Sequence, residues 1–125
     1  MSTEALAQHR GGMWPWLLQR VTAVLVFVTI SIHMVATHIL NIGNLTYDNI
    51  AGRLAHGGMA VVDLVLLGAV IFHALNGGRM VWLDYSLTGK TSRRVVDVVF
   101  VIFGVVAFGY GVWALWPWIS GKGLA

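Results

Sequence analysis

Three apolar stretches, at residues 16–40, 59–83 and 95–118, dominate this chain of 125 residues. About 20 mostly apolar residues in a helix suffice to cross the hydrocarbon core of a bilayer. An open strand there leaves its backbone groups unsatisfied. The chain is therefore predicted to be an all-α membrane protein with three transmembrane helices, forming a single anchor domain over residues 1–125. The polar segments 41–58 and 84–94 read as the connecting loops. Only 10% of residues are charged against 58% hydrophobic, far from the roughly one quarter charged of soluble domains.

Composition excludes several chemistries. With no cysteine, disulfides, thiolate catalysis, iron–sulfur ligation and cysteine-ligated zinc cannot be built from this chain. The pI near 9.8 reflects few charges with a basic bias, which in such a chain is a topology signal rather than a nucleic-acid patch. Residues 1–12 are polar and lack a short apolar core with a small-residue cleavage site, so no removable signal peptide is expected. Lys90, Arg93 and Arg94 lie in the second loop, Arg79 just inside its helix, and Arg10 and Arg20 on the N-terminal side. Arg53 and Lys122 are the basic residues of the opposite side. The expected orientation puts the N-terminus in the cytoplasm and the C-terminus outside, across a cell inner (plasma) membrane. Trp14 and Trp16 mark one interface, and Trp113, Trp116 and Trp118 the other.

Against this background, His33 and His73 stand deep in two different apolar runs of a chain with five acidic residues. An imidazole inside a membrane is costly unless something binds it, and neutral imidazole is a good ligand for haem iron. The alternative is a pair of histidines bonded to neighbouring protein groups. Counting ~1.5 Å per residue from the cytoplasmic ends places His33 ~25 Å up and His73 ~15 Å up. At such unequal heights the two cannot clamp one iron. Each would bind a separate haem, its opposite ligand supplied by another subunit. The helical neighbours of His33 (Thr29, Ile30, Ala36, Thr37) and of His73 (Ala69, Val70, Asn76, Gly77) include small residues that let a flat ring approach, although small residues also serve helix packing. His38, five residues past His33, falls on a different helical face and reads as an interfacial polar residue. His9 and His56 lie in polar segments and read the same way. Asp63 is level with His33 within a turn. It either orients that imidazole, takes a proton from a quinol, or stands as a first-turn carboxylate favoured by the helix dipole; the last is the simpler reading.

The run His73-Ala74-Leu75-Asn76-Gly77-Gly78-Arg79, followed by Asp84-Tyr85, is the most specific string in the chain. Arg79 can snorkel to the interface or pair with a propionate. Tyr85 can donate a hydrogen bond to a quinone carbonyl, with Asp84 orienting a neighbouring donor. Read alone, Tyr85 is an interfacial aromatic anchor.

With Arg20-Val21-Thr22-Ala23, Leu45-Thr46-Tyr47-Asp48 and Arg53-Leu54, that string resembles the small hydrophobic (D-type) membrane anchor subunit of succinate dehydrogenase, respiratory complex II, over most of the chain. The resemblance implies a helical bundle shared with a C-type cytochrome b subunit and docked to an iron–sulfur and a flavoprotein subunit. It implies His73 as an axial ligand of haem b, Tyr85 at the quinone with Asp84 before it, and Arg20 near the propionates and quinone pocket. A histidine thirteen residues after the arginine, as at His33, and the pattern His-x-x-Asn-Gly-x-Arg at His73–Arg79 are features of two-haem members, so two haems are expected, with His33 on the outer one. Arg53 is then, by charge and position, a candidate partner of the outer propionates. The implied activity is transfer of electrons from succinate to quinone. A fumarate reductase anchor, another b-type cytochrome anchor and a haem-free packing protein are the alternatives.

Overall fold

The structure, a computed structural model, describes residues 13–40, 46–55, 57–85 and 90–120. Helix α1 spans Met13–Met34 and continues through one π-helical stretch, Val35–Ile39. A short helix α2, Tyr47–Ala55, precedes α3, Gly58–Tyr85, and α4, Lys90–Ile119. The stretches Met13–Ile39, Gly58–Tyr85 and Thr91–Ile119 are each long and apolar enough to cross a membrane.

Both expected loops are shorter than their polar composition implied. Residues 41–58 contain α2, and 84–94 contribute the last turn of α3 and the first turns of α4. Polar residues at the end of an apolar run can extend a helix into the headgroup layer, because water and headgroups satisfy their side chains there. Arg53 accordingly belongs to the backbone of α2 rather than a loop; its side chain lies outside the described residues, as do His9, His56 and Lys122 entirely.

The order of cross-helix contacts shows how α1 and α3 run. Asn76 Nδ2 donates to the Pro15 carbonyl at 3.0 Å, and Asp63 meets His33. Ascending positions on one helix pair with descending positions on the other, so the two are antiparallel. Their seam is built from small or hydroxylated residues: Thr22, Thr29, Ala60 and Ala69 are buried. In lipid there is little hydrophobic drive between helices, and small side chains give association by close packing. The buried hydroxyls cost little, since Thr22 and Thr29 donate back to the Leu18 and Leu25 carbonyls, each at 2.7 Å. Helix α4 packs antiparallel on another side of α3, held at one end by Arg79 Nε donating to Asp97 Oδ1 at 2.5 Å. At the other end α2 rests on α4 through an edge-on Tyr47–Trp118 contact with centroids 5.0 Å apart.

Candidate functional site

Both intramembrane histidines face the α1–α3 seam, at two separate levels. His33 lies with Asp63, and His73 lies with Gln19 and Thr22. Asp63 and His73 are ten positions apart on α3, which at ~1.5 Å per residue is ~15 Å along the axis. One iron cannot bridge that gap.

At the upper station, His33 Nδ1–H donates to Asp63 Oδ1 at 2.7 Å. The pair is half-buried, with side-chain exposures of 33% and 17%. Asp63 is not a first-turn carboxylate, for α3 begins at Gly58 and has no acid in its first turn. Its partner is the imidazole. The π-helical stretch beside it changes the position of His38. A hydrogen bond from Leu40 N to Val35 O, 2.9 Å long, closes a wider turn with an extra residue, and five residues then come nearly full circle. His38, placed on another face by α-helical counting, lines the same hollow of about 240 Å³ as His33, Thr37 and Asp63. A second hollow, of about 440 Å³, opens from His33 and Asp63 past Val70 of α3 toward Gly111 and Leu115 of α4.

At the lower station, Thr22 Oγ1 gives its hydrogen to the Leu18 carbonyl and stands 3.3 Å from His73 Nδ1. The consistent arrangement is Nδ1–H donating to Thr22. The Gln19 amide faces Nε2 at 3.3 Å and also donates to the His73 carbonyl at 3.1 Å. Gln19 Oε1 accepts from Asn76 Nδ2 at 2.8 Å. Gly77 makes this possible: a Cβ there would lie 2.9 Å from Gln19 Nε2. The space that the glycine leaves is taken by an amide. Gln19 and Thr22 escaped the sequence reading as site residues. Gln19 is the first uncharged polar side chain inside the first apolar run, and a buried amide in lipid needs a partner; that was the available signal. Asp97, an acid at the start of the third run, carried a similar one.

The other expected residues separate into two groups. Arg20 is exposed, with its guanidinium 4.4 Å above the Trp16 ring, on a face of α1 turned away from Gln19 and Thr22. Arg79 lies six positions past His73 toward the basic end, about 120° around α3, and is tied to α4 by Asp97. Asp84 and Tyr85 form the end of α3, both exposed, Tyr85 at 87%. Twelve residues, ~18 Å, separate Tyr85 from His73. Among the described residues no three His, Cys, Asp or Glu side chains converge on a metal position.

Three apolar helices around a polar seam define a small integral-membrane subunit. The family described as succinate dehydrogenase/fumarate reductase transmembrane subunit matches residues 4–111. The chain belongs to that family, and it is a multi-pass membrane protein. It is 31% identical over 100 residues to the succinate dehydrogenase hydrophobic membrane anchor subunit of Archaeoglobus fulgidus, covering 80% of this chain and 85% of that one. It is 27% identical over 114 residues to the succinate dehydrogenase 2 membrane subunit SdhC of Mycobacterium tuberculosis, covering 84% of each. No solved structure matches.

Proposed function

We propose that this chain is the anchor through which a succinate:quinone oxidoreductase holds haem b and reaches quinone in the membrane. The observation that carries this reading is shared by the two stations. Each imidazole directs Nδ1 to an oxygen of the facing helix, Thr22 for His73 and Asp63 for His33. Metal-bound histidines are fixed in this manner, the second nitrogen donating to an oxygen that sets the tautomer. Nε2 is then the nitrogen available to iron. The His33 side chain borders two hollows with mostly apolar walls. At His73 iron competes only with a 3.3 Å amide contact, and Gln19 keeps its other two partners. The residues at His33 fit haem b as they stand; at His73 the ring would take iron only once Gln19 withdraws from Nε2. Haem held there would supply one-electron storage between the soluble centres and quinone, with a potential set by its ligand and surroundings. A C-type cytochrome b subunit would complete the haem sites, since each station here offers one imidazole. Arg53 of α2 would be the cation for propionates at the outer end, and Arg20, which lies over Trp16 on another face of α1, would have to change rotamer to serve at the inner one.

The quinone end is Tyr85 with Asp84. Succinate loses two electrons and two protons to become fumarate at the flavoprotein, and the electrons pass through the iron–sulfur subunit. Quinone takes up two electrons and two protons to become quinol. Tyr85 donates a hydrogen bond to a quinone carbonyl, and Asp84 orients the neighbouring donor. Their exposure on this chain alone fits a site closed by adjoining subunits. The basic end, with Arg79, Arg93 and Arg94, faces the cytoplasm, where the soluble subunits dock. Fumarate reduction is the same chemistry in reverse, and the quinone potential decides the direction.

Tyr85→Phe in the intact complex tests the quinone role. Succinate-dependent quinone reduction is expected to fall about 10-fold or more, while succinate oxidation with an artificial dye acceptor stays near wild type. Equal loss in both assays overturns the assignment. A reduced-minus-oxidised spectrum without a b-type band would remove the haem reading itself.

A further inference from the structure

The side of α3 away from the histidines carries a feature that electron transfer does not use. A groove of about 480 Å³ runs between α3 and α4, from Gly68 and Phe108 at its apolar end to Arg79 and Asp97 at its polar end. Gly68 and Arg79 are eleven positions apart, as are Asp97 and Phe108, so the groove is ~16 Å long. One leaflet of a bilayer core is ~15 Å deep. Val101 and Val105 line the groove and are 65% and 68% exposed.

The polar end is unequally charged. Arg79 and Asp97 satisfy one another through Nε. Arg93 stands one turn before Asp97, with Arg94 beside it, and Asp84 is the last residue but one of α3. Arg79 and Asp97 line the groove itself, and the surplus charge, three arginines against two aspartates, comes from Arg93 and Arg94 just beyond its mouth; an arginine fork can offer its terminal N–H groups to a phosphate while Nε holds a carboxylate. Basic pockets between transmembrane helices recognise anionic headgroups in this way.

We propose that this groove is a binding site for an anionic glycerophospholipid of the leaflet at the basic end. One acyl chain lies between α3 and α4, and the phosphate sits against Arg79 and Arg93. The match in length accounts for the chain. The surplus positive charge selects an anionic lipid over a neutral quinone tail or an apolar partner helix, neither of which needs a cation at that point.

The test uses the intact complex in mild detergent, wild type and two variants. Val105→Trp fills the groove without touching a charge. Arg79→Gln combined with Asp97→Asn removes the guanidinium without leaving an orphaned carboxylate. Tightly held phospholipid is quantified by extraction and mass spectrometry, and Tm is measured with added phosphatidylglycerol or phosphatidylcholine. Wild type is expected to retain anionic lipid and to gain about 5 °C from phosphatidylglycerol, with little gain from phosphatidylcholine. Both variants should lose the retained lipid and most of that gain. Unchanged retention in both variants overturns the proposal, as does equal stabilisation by the two lipids. Loss of bound quinone in place of phospholipid on Val105→Trp assigns the groove to a quinone tail. Loss of the partner anchor on that substitution assigns it to a protein helix. Either result also overturns it.

Discussion

The two histidine stations differ more than two turns of a repeating seam should. At His73 the partners are neutral: a threonine hydroxyl and a glutamine amide, each 3.3 Å from a ring nitrogen, backed by Asn76 and packed over a glycine. At His33 the partner is a carboxylate at 2.7 Å, the helix widens into a π turn, and hollows open on two sides. Hydrogen bonds to an ionised acceptor are shorter and about twice as strong as neutral ones. The lower imidazole is held by neutral partners, the upper by a carboxyl group. If each binds iron, the carboxylate makes His33 the more electron-rich ligand, and its haem should be the harder of the two to reduce.

The most severe way to break this comparison is to remove the ligands singly. His73→Ala in the intact complex should cost the inner haem and leave most of the outer one, and His33→Ala the reverse. Extracted haem per complex should drop from two to one in each variant. An unchanged count in either variant removes that histidine from iron. Loss of both haems from a single substitution would show that the stations are not independent.

The next effect down separates charge from placement. Asp63→Asn keeps an acceptor of the same shape opposite His33 and deletes the charge. Partners of metal-bound histidines commonly contribute 10–100-fold in metal affinity, so a fall of about 10-fold in retention of the His33 haem is expected. Its midpoint potential should rise while that of the His73 haem holds still. Potentiometric titration followed by optical spectra reads both at once. A matching rise at His73 would mean that Asp63 acts through the whole bundle.

How much of this was legible in the residues depends on the kind of constraint. Span number and approximate limits followed from apolar length, because lipid permits so few alternatives. The unequal heights of His33 and His73 followed from counting along straight helices. Counting failed at His38, because it presumes 3.6 residues per turn and nothing in Val35–Ile39 advertises a π turn. The partner of Asp63 was among the options, but choosing it required knowing how α3 is rotated toward α1. Asp63 can face lipid, α1 or a helix end without any change in the sequence. The same rotation brings Arg79 to Asp97, away from the imidazole six positions earlier. Gly77 looked like room for a flat ring, and its space is occupied by Gln19, a residue 58 positions away by number (77 − 19).

The smallest effect sharpens the lower station. Thr22 is buried at 9% exposure, and its hydroxyl hydrogen is already committed to the Leu18 carbonyl. Toward His73 it therefore acts as an acceptor. Thr22→Val preserves shape and the β-branched helix preference but leaves the Nδ1–H of His73 facing a methyl group. A neutral hydrogen bond contributes about 1 kcal/mol, or roughly 5-fold in an equilibrium constant. Retention of the His73 haem should weaken by about that factor and its potential should shift upward slightly, with the His33 haem unaffected. Thr22→Ser restores the oxygen without the methyl and should recover wild-type behaviour. If valine and serine behave alike, the residue serves only to pack α1 on α3. If valine alone is impaired, the hydroxyl orients the ring, and the neutral station works by the same principle as the charged one, with a weaker acceptor.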